Sequence, residues 1–372
     1  MRTWIDENTG REIRQLTDHP EGITVGYYNK PRRVGSRWVF ATQGREERIL
    51  LDPETGETRR SPIQTGFVHL RESDGRLWYQ QDEREIWCID LPDGEPVYVA
   101  RLPEDLEGTP FGMTCDGGTV IRALRVDPTG MDTDFPSTCD AEFFWKTATR
   151  PRSGKLWSYH LESGERRLLV SVDGYIPGGA RTSPIDPTLI LFNYDAPPNR
   201  GQFVWAVRTD HGDPWKVRSQ APGEMVMHPF WWADGSRIAY KYQDRRQDNT
   251  LEQTPYAEYS PCPTHFCLAD VDGTEVYRSD PINHWHSHIF VSADGRWLCG
   301  EGTHDHLAVY VARFDAESTD VDFVPFATTH TPYRAMIGQE IEAGFSADGR
   351  WLIYNDTIGG TRQVCAVAVE NR

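Results

Sequence analysis

Apolar residues in this chain come in short runs separated by polar turns, and no stretch keeps a helical period. The runs are rich in aromatic and β-branched side chains and each follows Asp-Gly or a related turn. Short runs of that composition, bounded by Gly, Asp and Pro, read as β-strands. The pattern recurs along the chain. It begins with Gly35-Ser36-Arg37-Trp38 and Asp74-Gly75-Arg76-Leu77, then Asp116-Gly117-Gly118-Thr119 and, more loosely, Asp186-Pro187-Thr188-Leu189. Clear copies follow at Asp234-Gly235-Ser236-Arg237, Asp294-Gly295-Arg296-Trp297 and Asp348-Gly349-Arg350-Trp351, which makes seven units. Asp-Gly between apolar strands is a strong hairpin signal because both residues tolerate positive φ.

Most units carry a second turn after the next strand, as in Asp52-Pro53-Glu54-Thr55-Gly56-Glu57 and His160-Leu161-Glu162-Ser163-Gly164-Glu165. Two hairpins per unit predict four antiparallel strands. Seven such units predict an all-β protein, a seven-bladed β-propeller of four-stranded antiparallel blades forming one domain over residues 1–372. A β-sandwich or a pair of barrels would not repeat the unit seven times. Asp6 to Glu12 copies the second turn with no first hairpin before it, while Gln363 to Val369 is a third strand with nothing after it. The N-terminal strand is therefore expected to complete the last blade. Two polar inserts, 127–152 and 243–263, interrupt the spacing, and long inserts on a rigid scaffold commonly rim a site.

Composition narrows the function. Lys+Arg number 39 against 56 Asp+Glu, a net charge of -17. That charge repels nucleic-acid phosphates, so no nucleic acid is expected as a partner. An acidic substrate would need a locally basic or metal-bearing pocket. No stretch approaches the roughly 20 apolar residues of a membrane helix, so no membrane partner is expected. The opening Met1-Arg2-Thr3-Trp4-Ile5-Asp6 has no apolar segment of a secretion signal, and seven scattered cysteines suit reduced thiols. A cytoplasmic monomer or homodimer is the expectation.

Propeller ligands meet the innermost strands, which precede the Asp-Gly turns. Those positions offer Tyr27, Tyr28, Asn29 and Lys30, then His69 and Arg71, then Arg181, His228, His284, His286 and His288, and finally Gln339, Glu340 and Glu342. Ionisable groups converging from several blades are costly to bury unless they bind something. The histidines of His284-Trp285-His286-Ser287-His288 share one strand face, as do the carboxylates of Glu340-Ile341-Glu342. A packing role for His228 and a solvated face for two of the other histidines are the plainer readings. A mixed His, Glu and Gln set suits a divalent ion such as Mn²⁺, Mg²⁺ or Ca²⁺ better than a closed zinc site.

At these residues the sequence resembles the oligogalacturonate lyases, a family of seven-bladed polysaccharide lyases. Gly223 to Ser236, containing His228-Pro229-Phe230-Trp231-Trp232, is similar to the segment with the family's catalytic-base histidine. Ser287 to Gly295, followed by Gly300-Glu301-Gly302, is similar to the segment with its first metal-ligand histidine. Asp6 to Thr17 with Tyr27-Tyr28, and Phe345-Ser346-Ala347-Asp348-Gly349, match its first and last blades. In the family a Gln and a His-x-His complete a manganese site; here the stretch reads Gln339-Glu340-Ile341-Glu342, with carboxylates in place of both imidazoles.

The resemblance implies β-elimination of a short uronic-acid oligosaccharide, with His228 as base and Arg200 or Arg181 holding a uronate carboxylate. His288, Gln339, Glu340 and Glu342 are the implied ligands of a divalent cation, manganese first and calcium or magnesium as alternatives. Tyr28, Lys30, His69, Arg71 and His286 are the implied substrate contacts. Two rival readings are a non-catalytic binding or scaffold propeller and a lyase for a different uronide.

Overall fold

The computed structural model describes residues 1–26, 33–43, 47–64, 66–82, 84–126, 153–174, 176–195, 203–246, 262–284, 286, 288–302, 307–331 and 341–369, the side chains of Phe67, residues 176–180 and Asp195 excepted. Within them the chain forms seven antiparallel sheets in sequence order, and no helix. This is the seven-bladed β-propeller fold that the repeat predicts. Six sheets are meanders and the last is completed from the N-terminus; in five of the seven the first hairpin turns on Asp-Gly. At Asp294, the side chain accepts from the Ser292 hydroxyl at 2.6 Å and from Arg296 N–H at 3.1 Å. Ser292 Oγ in turn accepts Trp297 N–H at 3.0 Å. Ser346, Asp348, Arg350 and Trp351 repeat the arrangement at 2.6, 3.1 and 3.0 Å. Gly295 and Gly349 close these turns at φ of 73° and 69°, where a Cβ would add strain.

The sheets fall into two compact units. The first unit holds the sheets of residues 23–60, 67–101 and 289–328 and the sheet shared by the two termini. Its largest core packs the last sheet on its predecessor through Ile13, Val309, Val311, Phe326, Phe345, Leu352, Tyr354 and Val367. The second unit holds the three sheets between Thr109 and Arg278, with cores around Leu156, Phe192 and Val207 and around Leu191, Val226, Tyr240 and Cys267. The described cysteines are free thiols.

The last sheet joins both ends of the chain, and the N-terminus contributes more than expected. Glu12–Gln15 pairs with the C-terminal strand Thr361–Ala368, and Arg2–Ile5 then adds a fifth, outermost strand. The turn between them is also a clamp. Asp6 accepts Thr328 N–H at 2.6 Å and the Thr328 hydroxyl at 3.1 Å, pinning the outer strand of the preceding sheet. Arg11 lies over the Phe326 ring of the same strand at 3.7 Å.

Removing residues 1–16 should therefore expose the edge of the last sheet and lower the melting temperature of the whole chain. Ile13→Ala, at a side chain 1% exposed, should cost about 2–5 kcal/mol by itself. An unchanged melting temperature for the truncated chain would contradict the closure.

Candidate metal and substrate site

His228, His288 and Glu342 each stand six residues before the Asp of an Asp-Gly turn: Asp234, Asp294 and Asp348. That repeat position falls within the first strand at His228 and just before it at His288 and Glu342. In several sheets the pairing slips there: between Phe67 and His69, Pro110 and Gly112, Gly178 and Arg181, and Met227 and Phe230. A bulge inserts an extra residue and re-aims its side chain. The backbone records the cost: His228 sits at φ 49° and Glu342 at φ 55°, a left-handed conformation worth roughly 1–3 kcal/mol of strain in a non-glycine residue.

In the first unit the same repeat position contributes two members of a buried cluster. His288, Glu301 and Glu342 are 1%, 1% and 5% exposed, and one ligand atom from each lies within 4.8 Å of the others. His288 Nδ1 is 3.2 Å from Glu301 Oε2. Glu301 Oε1 accepts the N–H of Ala343, the residue after Glu342, at 2.9 Å. Donors on one octahedral ion with bonds of about 2.2 Å stand roughly 3 Å apart when adjacent and about 4.4 Å when opposite. The cluster fits that spacing with little movement. One imidazole and two carboxylates form a donor set for a hard or borderline divalent cation, which would also offset the cost of burying two acids together.

Glu301 is the member that sequence reasoning missed, although the repeat marks it. It stands seven residues after Asp294, as Asn355 stands seven after Asp348. Asn355 uses that position to bind the first strand of the next sheet, accepting Val25 N–H at 2.8 Å and donating to Val25 O at 3.2 Å. Glu301 makes the same reach to Ala343. Gln339 and Glu340, the other implied ligands, lie outside the described residues, as do Tyr28, Lys30 and Arg200.

The remaining residues separate. His286 is fully buried, with its ring 4.2 Å from that of Phe323 and 5.1 Å from that of Tyr310. Gly300 makes room for it, because a Cβ there would fall 2.6 Å from the imidazole. His286 is thus a packing residue, out of reach of the substrate contact expected of it. Arg71 lies at the turn end of its strand, where its guanidinium holds Asp74 at 2.5 Å, away from the end that carries the bulge. His69 stacks at 5.8 Å on Trp78, and burial pushes its imidazole down from 6.5 to about 4, with Glu72 opposing and Arg71 assisting.

In the second unit, His228 occupies its bulge between Met227 and Phe230. Trp231 Nε1 donates to Arg181 O at 3.2 Å, tying the His228 strand to the first strand of the preceding sheet. Arg181 and His228 are therefore brought onto neighbouring strands.

No family model matches the chain. It is similar to an oligogalacturonate lyase of Dickeya dadantii and an oligogalacturonide lyase of Pectobacterium atrosepticum, each 24% identical over 293 residues, 74% of both chains. Two solved structures share its fold over its full length and 96% of theirs. One is an oligogalacturonate lyase in complex with manganese, with TM-score 0.70 and 19% identity. The other is an oligogalacturonate lyase from Vibrio parahaemolyticus, with TM-score 0.73 and 17% identity.

Two outcomes test the cluster and its surroundings. Mn²⁺ should raise the melting temperature of the wild type, and chelation should reverse it. Glu301→Gln, whose amide oxygen still accepts Ala343 N–H, should fold normally but lose the Mn²⁺ response. Glu301→Ala should additionally cost about 1–3 kcal/mol for the stranded N–H. An intact Mn²⁺ shift in Glu301→Gln would remove Glu301 from the ligand set. For His69 the folded state stays neutral while the unfolded chain takes up a proton below about pH 6.5, so its contribution is complete above that pH and lost as pH falls toward 4. Urea unfolding of His69→Gln should accordingly lose less stability than wild type between pH 7 and pH 5; equal losses would contradict the neutral imidazole.

Proposed function

We propose that this chain, a distant relative of the oligogalacturonate lyases, cleaves short uronic-acid oligosaccharides by β-elimination, with a galacturonide as the first substrate to examine. The observation that carries the reading is the buried His288, Glu301 and Glu342 cluster, built on the repeat position that also holds His228. Similarity over 74% of the chain to enzymes named for this reaction supports it.

The chemistry follows from what such a cleavage needs. The C5 proton lies α to the uronate carboxylate and is weakly acidic, so charge on that carboxylate must be offset as the proton leaves. A divalent cation supplies that electrostatic stabilisation when bound. His288, Glu301 and Glu342 would hold it, with manganese the first ion to test. Gln339 and Glu340 are proposed as further ligands. His228 takes the C5 proton: an imidazole is neutral enough near pH 7 to be a base, and its φ of 49° holds it out of the regular strand. Arg181, or Arg200, binds a uronate carboxylate through its guanidinium fork. Tyr28, Lys30 and the partly exposed His69 are proposed sugar contacts. The products are a saturated uronide and a fragment whose new non-reducing end carries a C4–C5 double bond.

His228→Ala should lower kcat on a galacturonide by about 10²–10⁴-fold while its melting temperature and Mn²⁺ response stay close to wild type. A packing histidine would behave in the opposite way, with turnover retained and melting temperature lowered. Undiminished turnover in His228→Ala would remove it as the base.

A further inference from the structure

β-Elimination also needs a proton for the departing O4, because a sugar alkoxide leaves poorly. The reading above supplies a base and a charge-neutralising site but no such donor. From the geometry around Asp356 we infer that His330 is the acid that protonates the leaving oxygen, an assignment that rests on the lyase reading.

Asp356 is fully buried near the end of the strand Trp351–Ile358. Its Oδ1 accepts from His330 N–H at 2.6 Å, Thr357 N–H at 2.8 Å and the Thr329 hydroxyl at 2.9 Å. Its Oδ2 is left for the His330 ring, with Nδ1 at 3.1 Å. A carboxylate accepts and does not donate, so the proton lies on Nδ1 and the ring is held by one edge. The other edge is presented outward, for the His330 side chain is 65% exposed. A buried acid that fixes the orientation of an accessible imidazole is how proteins prepare a histidine for proton transfer.

The strand that carries Asp356 also holds the segment leading to Glu342. Ile341 O, one residue before Glu342, accepts Asn355 N–H at 2.7 Å. Thr331, one residue after His330, donates its hydroxyl to Asn355 O at 3.4 Å and lies 3.2 Å from the Thr357 hydroxyl. The segments bearing His330 and Glu342 are therefore anchored on one residue, at one end of one sheet. A structural anchor alone would need Asp356 and the threonines; it would not need an imidazole offered to solvent.

The step balances. The base takes the C5 proton, the C5–H electron pair becomes the C4–C5 π bond, and the C4–O4 pair leaves with O4. O4 takes the proton from Nε2 of the His330 imidazolium, which ends neutral with Nδ1–H still on Asp356.

The test compares full-length wild type, His330→Gln and Asp356→Asn on two substrates. One is a galacturonide trimer. The other is a uronide with a nitrophenyl ether at O4, whose nitrophenolate leaves without a proton. Melting temperature and Mn²⁺ content are measured alongside. The expected result is a kcat on the trimer lower by about 10²-fold or more in both variants, with wild-type rates on the nitrophenyl ether and unchanged metal content. Equal losses on both substrates, or no loss on the trimer, would overturn the assignment while leaving the lyase reading standing. A wild type that forms unsaturated product from neither substrate would overturn both.

Discussion

The Glu301 carboxylate is the contact on which the candidate site depends. One oxygen holds the N–H of Ala343 in the following sheet, and the other faces His288 in its own. Because Ala343 follows Glu342, that single side chain sets where the second carboxylate of the cluster stands relative to the imidazole. Asn355 makes the equivalent reach to Val25 without charge, so the repeat already contained a tether between successive sheets. At Glu301 the same tether is made by an acid, whose second oxygen is turned toward His288.

The position six residues before the Asp-Gly turn is strained at His228 and Glu342, which marks it as a place where a side chain is re-aimed. The bulge at His228 costs ladder pairing, and both His228 and Glu342 take a left-handed backbone. Regular strands alternate their side chains between faces, and a bulge breaks the alternation so that a residue leaves the core. The turns at the other end are rigid, with Ser, Asp and Gly satisfying one another locally, so the variable end is free to carry function. A shared fold does not fix an activity, and neighbouring ligand sets on one scaffold can differ as this cluster differs from a His-rich one.

The fold was legible because its signal is local and repeated. Asp-Gly and the apolar run after it are enough to form each hairpin, and the orphan strand at each terminus implies closure of the last sheet. Arg2–Ile5 as a fifth strand was not foreseen, since an outer edge strand has little burial to mark it. Site residues were harder to read. His228, His288 and Glu342 share a register that the sequence displays, but Arg71 and His286 look equally polar beside an inner strand. Arg71 is claimed by Asp74 within its own turn, and His286 by an aromatic cluster that depends on Gly300 being small. Glu301 lies on the second strand of its sheet, and only alignment of the internal repeat with Asn355 points to it.

The property that matters most is whether the chain eliminates. The mass of the fragments released from a saturated galacturonide trimer decides this directly. Elimination gives a fragment one water lighter than its saturated counterpart, because C4–O4 cleavage removes a C5 proton and adds nothing. Incubation with Mn²⁺ should yield that lighter fragment together with the ultraviolet absorbance of a conjugated unsaturated uronate, and chelation should suppress both. Fragments that each carry the full mass of a hydrolysis product, or an intact trimer across galacturonide and other uronide substrates, would contradict it.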